Sequence, residues 1–417
     1  GGDIEQLYAS GDYAGPIALA RSLGALVVFL ECRFFGKSLP FGNSSFSARA
    51  EAVGLLSVEM ILADYQAILQ SVRALYAPSS PVVTFGGSLA GTLAALMRVR
   101  YPELVAMAWA SSAPLLGYVN SAPATATSRK SVPLPRNLSP LNAQVTRNFE
   151  DRRAGCAALV REAFTALQHA PALELKKQLA TCDPIVASDW SEVQQALFSL
   201  LQSSAEFCYP PSTSIIPKLC EALHTPRAAN LSRRTHGLRG VDALLRVGMP
   251  SSYSKHGLSS CLNLTQVRAA NARSSAGWSY LACTEVVHPI GSNNVSDFFP
   301  PESWSAEALR ASCEPKWGVV PRPRRIPEAF GLYDLESFKR AHTRILFTYG
   351  LSDPWHTLGI GLTNLTAMLP VLTIPEGSHC ADMHSASVHD TRAMIKARIR
   401  AAEIIRAWLT GVLRTTS

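Results

Sequence analysis

Residues 81–115, PVVTFGGSLAGTLAALMRVRYPELVAMAWASSAPL, constrain the fold more than any other stretch of the chain. A short apolar run over 81–85 ends at Gly86-Gly87, Ser88 follows, and a strongly helix-forming run covers 90–100. Tyr101-Pro102 breaks that run, and a second apolar segment occupies 104–110. The expected order is strand, tight turn, helix, strand. A serine at so sharp a turn stands above the sheet with a helix N-terminus beneath it. The backbone N–H of the next residue, Leu89, then points to where an acyl oxyanion would develop. The nucleophile-elbow pattern is G-x-S-x-G, and here Ala90 fills its last place. Alanine is small enough for helix and strand to approach, and Gly91 follows directly. Taken alone, so short a motif also fits a plain strand-to-helix turn with an incidental serine.

Two later stretches decide between these readings. Residues 344–355 (RILFTYGLSDPW) form an apolar strand that ends in a glycine and delivers Asp353 on a loop. Residues 371–379 (VLTIPEGSH) form another strand, whose exit loop delivers His379. The order Ser88…Asp353…His379, with acid and base each just beyond a late strand, is that of α/β-hydrolases. Of the ten histidines in the chain, His384 and His389 are the rivals to His379, and both lie further from the strand end. Asp334 and Asp382 compete with Asp353, but the first precedes its strand and the second lies beyond the histidine. Ser88 is thus the candidate nucleophile, His379 its base, and Asp353 the group that holds the imidazole in the right tautomer.

The remainder of the chain is consistent with a large globular enzyme. With 47% apolar and 17% charged residues it is not a disordered polymer. No apolar run approaches the roughly 20 residues that span a bilayer. The net charge is +8, but the basic residues are scattered and no aromatic platform lies between them, so solvated faces explain them better than nucleic-acid binding. Nine cysteines, none in a C-x-x-C pair, argue against a zinc site. Six of them fall between residues 156 and 283. Together with N-x-S/T sequons at Asn43, Asn137, Asn230, Asn263, Asn294 and Asn364, they point to an oxidising, secretory compartment.

Along the chain, residues 17–22 are expected to be helical and 25–31 to form a buried parallel strand. Residues 57–76 read as an amphipathic helix with Ile61, Tyr65, Ile68, Leu69, Val72 and Leu75 on one stripe. Residues 116–140 are rich in Ser, Thr, Pro and Asn and read as a linker. Helical runs follow at 143–167, 172–180, 191–201 and 217–223, and a Pro/Arg-rich segment at 322–327 leads back to the sheet. The last run, 391–413, is a helix expected to pack Ile395, Ile399, Ile404, Ile405 and Trp408 on the sheet. The domain organisation expected is a hydrolase core in two parts, 1–115 and 336–417, with a helical insertion over 116–335 that caps the site.

Five blocks then carry a family resemblance: ECRFFGKSLPFG at 31–42, GGSLAG at 86–91, GWSYLACTEV at 277–286, DPWH at 353–356 and EGSHC at 376–380. In these residues the chain resembles the serine peptidases related to prolyl carboxypeptidase and lysosomal dipeptidyl peptidase. The resemblance covers about 1–410, and Ala90 and His379-Cys380 bring it nearest the thymus-type branch. It implies disulfides Cys156–Cys220, Cys182–Cys261 and Cys283–Cys313, leaving Cys32, Cys208 and Cys380 over. It places Gly1-Gly2-Asp3 in a loop after an early strand, so that this strand, a leader and the second oxyanion donor would belong to the region around and before residue 1. It also implies an apolar proline pocket in which methionines face a tryptophan. Here Trp355 keeps the tryptophan, while Thr92 and His288 stand where the methionines would be. A weaker preference for proline is therefore expected, with a pH dependence from His288. The expected activity is that of a serine-type peptidase, an exopeptidase if the cap admits only chain ends. A lipase or carboxylesterase of the same fold, or a catalytically silent binding glycoprotein, are the alternatives. Peptides are the expected partners, with a homodimer admitted. No cofactor, metal, nucleic acid or membrane span is expected.

Overall fold

The computed structural model describes residues 4–46, 54–121, 139–179, 181–182, 189–224, 232–250, 253–256, 259–266 and 276–416. Its centre is a parallel sheet of four strands: β1 (Val82–Gly87), β2 (Val105–Ser111), β5 (Ile345–Gly350) and β6 (Val371–Ile374), in the order β1-β2-β5-β6. A short antiparallel hairpin, β3 (Tyr253–His256) with β4 (Ser259–Leu262), lies in sequence between β2 and β5. Each main strand was legible as an apolar run. The central β2 and β5 are covered on both faces, as strands of a parallel sheet usually are, whereas β1 and β6 are half-buried over much of their length. In β5 every residue is buried. One face of the sheet packs on the elbow helix (Leu89–Arg100), from which Leu93, Ala95, Leu96 and Met97 enter the larger core cluster. Met107, Trp109 and Leu346 join Met383, Ala401 and Ile405 in a second cluster that includes the last helix (Arg392–Thr416).

Several expectations need correction. Among the described residues, 25–31 form no strand, and Leu26 is 58% exposed. This segment instead borders an apolar trough of about 810 Å³, with β1, the helix Val58–Tyr76 and the last helix contributing other walls. On the helix Val58–Tyr76, Val58, Ile61 and Leu62 are buried, whereas Ile68 and Leu75 face solvent. On the last helix Ile395 and Ile399 are 47% and 55% exposed; the packed stripe is Met394, Ala401 and Ile405, with Ile404 and Trp408 beside it. Both helices are amphipathic as expected, but apolar residues at helical spacing outnumber the places the core offers. Residues 115–121 form a turn of 3-10 helix with Tyr118 fully buried, so the expected linker does not begin at 116. Residues 122–138 lie outside the described residues.

The chain divides into two compact units. The first comprises Gly1–Leu134, Ser275–Pro289 and Trp304–Ser417; the second comprises Pro135–Ser274 and Ile290–Ser303. These bounds differ from the expected insertion over 116–335. Residues 275–289 belong with the sheet because Glu285, buried, accepts from Val58 N at 3.0 Å and pairs with Arg322 at 2.6 Å. The disulfide Cys283–Cys313 ties the same segment to the helix Ala306–Trp317. The second unit is helical. Its run over 140–169 is two helices, Pro140–Arg152 and Cys156–His169, separated at Gly155, whose φ is +81°. Disulfides Cys156–Cys220 and Cys182–Cys261 hold it, and Phe149, Phe164, Phe298 and Phe299 lie in its core. Sequence reasoning missed its helix Arg233–Gly248, whose polar first turn masks the apolar face made by Leu238, Val241, Leu244 and Leu245. No helix among the described residues is long and apolar enough to cross a membrane.

Candidate active site

Ser88 occupies the junction between β1 and the elbow helix, with φ 58° and ψ −126°. A non-glycine residue at positive φ is costly and persists only where its surroundings hold it. Two backbone bonds do so here: Ser88 N donates to Ser111 O at 2.9 Å, and Ser88 O accepts from Thr92 N at 3.0 Å. The turn depends on two glycines. A Cβ on Gly86 would lie 2.3 Å from Ala90 O, and one on Gly91 would lie 2.6 Å from Ser111 O. The close approach of helix to sheet is therefore made at Gly91, while Ala90 is exposed. This explains how the elbow tolerates alanine at the last place of the motif. Leu89 opens the helix, so its N–H has no carbonyl four residues back within it. The second donor expected near Gly1 and Gly2 lies outside the described residues.

Asp353 and His379 leave the adjacent strands β5 and β6. Asp353 is fully buried at the start of a short 3-10 turn, Pro354–Leu358. Its Oδ1 accepts from Trp355 N at 2.9 Å, and its Oδ2 lies 2.9 Å from His379 Nδ1. Burial alone would push the imidazolium of His379 down. The Asp353 carboxylate, with the neighbouring Cys380, outweighs that and holds it well above the ordinary histidine range. A carboxylate on Nδ1 fixes the tautomer whose Nε2 can accept a proton, and it stabilises the imidazolium that results. The rivals do not share this geometry. Asp334 caps the helix Leu335–Ala341 through Ser337 N, and Asp382 is bonded to Ser111 and Thr348.

A row of rings extends from His379. Trp355 lies 6.4 Å from it between centroids, His288 lies 5.2 Å from Trp355, and Tyr118 lies 4.7 Å from His288. Thr92, buried on the elbow helix, has its hydroxyl against that of Tyr118. The residues expected around a specificity pocket are thus neighbours, with Tyr118 an addition that sequence reasoning assigned to a linker. Gly117 makes room for the row, since a Cβ there would lie 2.8 Å from His288 Cδ2. Burial pushes the His288 imidazolium down to about 4. The ring is therefore neutral from weakly acidic to neutral pH, which corrects the expectation that it titrates near neutrality. Cys380, expected only as part of a family block and as a cysteine left over from the disulfides, also meets the elbow. A Cβ on Gly87 would lie 2.6 Å from Cys380 Sγ, so the residue before Ser88 touches the residue after His379.

A parallel sheet, a strained serine elbow after one strand and a buried Asp–His pair after two later ones define an α/β-hydrolase. The particular kind follows from sequence comparison. The family described as "Serine carboxypeptidase S28" matches residues 2–401, and the chain belongs to it; the protein is a serine peptidase. The "Lysosomal Pro-X carboxypeptidase" of Homo sapiens is 29% identical over 407 residues, covering 94% of this chain and 76% of that protein. The "Thymus-specific serine protease" of Mus musculus is 28% identical over 426 residues, covering 96% and 78%. The "Prolyl carboxy peptidase like protein 5" of Caenorhabditis elegans is 27% identical over 423 residues, covering 95% and 80%. The family takes precedence over the esterase and silent-glycoprotein alternatives.

Proposed function

We propose that the protein is a serine exopeptidase that removes residues from the carboxyl end of peptides, with Ser88, His379 and Asp353 as its triad. The observation that carries this reading is the 2.9 Å contact between His379 Nδ1 and the buried Asp353 carboxylate, at the exits of β5 and β6 in a serine carboxypeptidase family chain. In the first step Ser88 Oγ attacks the scissile carbonyl while His379 Nε2 takes its proton. The tetrahedral oxyanion accepts from Leu89 N–H, the peptide C–N bond breaks, and His379 returns the proton to the leaving amine. Water then hydrolyses the acyl-enzyme by the same route in reverse. Asp353 stays ionised throughout and holds the ring.

The substrate's side chain before the scissile bond would meet Trp355 and His288, with Thr92 and Tyr118 behind them. Relatives named for Pro-X cleavage suggest proline as one substrate residue here. Thr92 and His288, where the family resemblance expects methionines, support a relaxed preference. Three disulfides fit maturation in the secretory pathway, and the name of the lysosomal relatives suggests that compartment. Mass spectrometry of peptides blocked at one end or the other tests the direction of cleavage. Amino-blocked peptides should lose carboxyl-terminal residues and carboxyl-amidated ones should survive. Internal cuts, or release from the amino end, would refute the proposal.

A further inference from the structure

Asp382 lies three residues beyond His379, is 3% exposed, and has no part in the Asp–His pair. Its carboxylate spans two strands. Oδ1 accepts from Ser111 Oγ on β2 and Oδ2 from Thr348 Oγ1 on β5, both at 2.6 Å. Ser111 and Thr348 are register partners, so the carboxylate bridges one rung of the sheet's central pair. A carboxylate only accepts, so both hydroxyls must turn their hydrogens towards it. Thr348 Oγ1 in turn accepts from Trp109 Nε1 at 3.1 Å, which leaves this joint one arrangement of hydrogens.

Ser111 also holds the nucleophile. Its carbonyl oxygen accepts from Ser88 N at 2.9 Å and forms the wall against Gly91. The next residue, Ser112, accepts from Cys380 N through its hydroxyl at 2.9 Å, and its own N–H donates to Thr348 O at 2.8 Å. The histidine loop is fastened from behind as well. Arg398 donates to Ala381 O at 2.8 Å and to Asp382 O at 3.1 Å, and Gly15 N donates to Met383 O at 2.9 Å. The elbow and the loop that carries His379 therefore share one anchor at the end of β2. A buried carboxylate is a costly way to fill space. Short, directional bonds to two strands give what apolar packing would not, a fixed distance between loop and elbow.

We propose that Asp382 is a positioning residue, which through Ser111 and Thr348 sets His379 at working distance from Ser88. This rests on the reading of Ser88 and His379 as nucleophile and base. The test compares Asp382→Asn, Ser111→Ala and Thr348→Val with the unaltered full-length chain. Rates on a peptide substrate are normalised to active sites counted with a fluorophosphonate. A displacement near 1 Å can cost about 100-fold in rate, so kcat per site should fall about 10–100-fold in Asp382→Asn, with KM within about threefold. The acid limb of kcat/KM should also move to lower pH, because a loosened His379 loses part of the hold of Asp353. Unchanged kcat per site and an unmoved limb, with all the loss in yield of folded protein, would make Asp382 merely structural and overturn the proposal. Should Asp382→Asn not fold, the other two variants each delete one donor and keep the carboxylate. Wild-type kcat per site in both would overturn it equally. His379→Ala separates the two readings: full activity there sinks the triad itself, whereas an inactive His379→Ala beside an unaffected Asp382→Asn sinks only the anchor.

Discussion

Replacing Asp353 by asparagine perturbs the candidate site at its most buried charge. The side chain keeps its shape, but one of its two acceptors becomes a donor. If the amide oxygen keeps the bond to Trp355 N, the NH2 faces His379 Nδ1 and imposes the tautomer with hydrogen on Nε2, which cannot take the serine proton. The lost attraction is large. At the observed 2.9 Å, unit charges in an effective dielectric of about 20 attract by about 6 kcal/mol, part of which the burial of both groups offsets. A fall of about 10⁴ in kcat, as triads elsewhere show, corresponds to about 5 kcal/mol and lies within that bound. The pH profile should change as well. Activity needs the neutral imidazole, so in the native enzyme kcat/KM should rise with pH through an apparent pKa above about 6.5, the ordinary histidine value. Without the carboxylate, burial is opposed only by the neighbouring Cys380, and the limb of the residual activity should move down. The stability sign agrees: because His379 is raised on folding, the pair stabilises fully below about pH 6.5, and that contribution is lost as pH rises through the raised value. The assay is kcat/KM against pH on one peptide. Retention of more than a tenth of the activity, or a limb that moves up, would refute the assignment of Asp353.

Two further predictions concern specificity and the covalent frame. With His288 neutral above about pH 4, the ratio of kcat/KM for peptides bearing Pro or Ala before the scissile bond should be below several hundredfold, and equal at pH 5.5 and 7.5. A larger ratio would show that Thr92 and His288 do not line the pocket, and a pH-dependent one would show that His288 gains its charge within this range. Replacing Cys283 and Cys313 by serine opens a loop of sequence separation 30 and should cost about 3–4 kcal/mol in chain entropy, read from denaturant unfolding. Unchanged stability would mean that the bond is not formed in the native protein.

How far the sequence could be read depended on how local the determining physics was. The strands β1, β2, β5 and β6 were visible as continuous apolar runs, which burial on both faces explains for β2 and β5, while the half-buried β1 and β6 keep a similar composition. Ser88, Asp353 and His379 were visible because each follows such a run directly. Residues 25–31 have the same composition yet form no strand among the described residues, since an apolar run does not name its partner. Ile395 and Ile399 were misplaced because helical spacing defines a stripe but not which part of it meets the sheet. Tyr118, Ser111 and Ser112 were not singled out, although the Ser111-Ser112 pair stands at the exit of a clear strand, and Cys380 was read only as part of a family block and as a cysteine left over from the disulfides. Their roles come from contacts between groups far apart in sequence, such as Ser111 with Asp382 and Ser112 with Cys380, 271 and 268 residues away. Asp382 was noticed only as a rival acid, and it took the distances to Ser111 and Thr348 to give it a different task.

The central claim, that Ser88 is the nucleophile of a serine peptidase, is tested most directly by reacting the folded protein with a fluorophosphonate and mapping the adduct by mass spectrometry. The adduct should fall on Ser88 alone and be absent from Ser88→Ala. An adduct on another serine, or none in folded protein that cleaves peptides, would contradict the account.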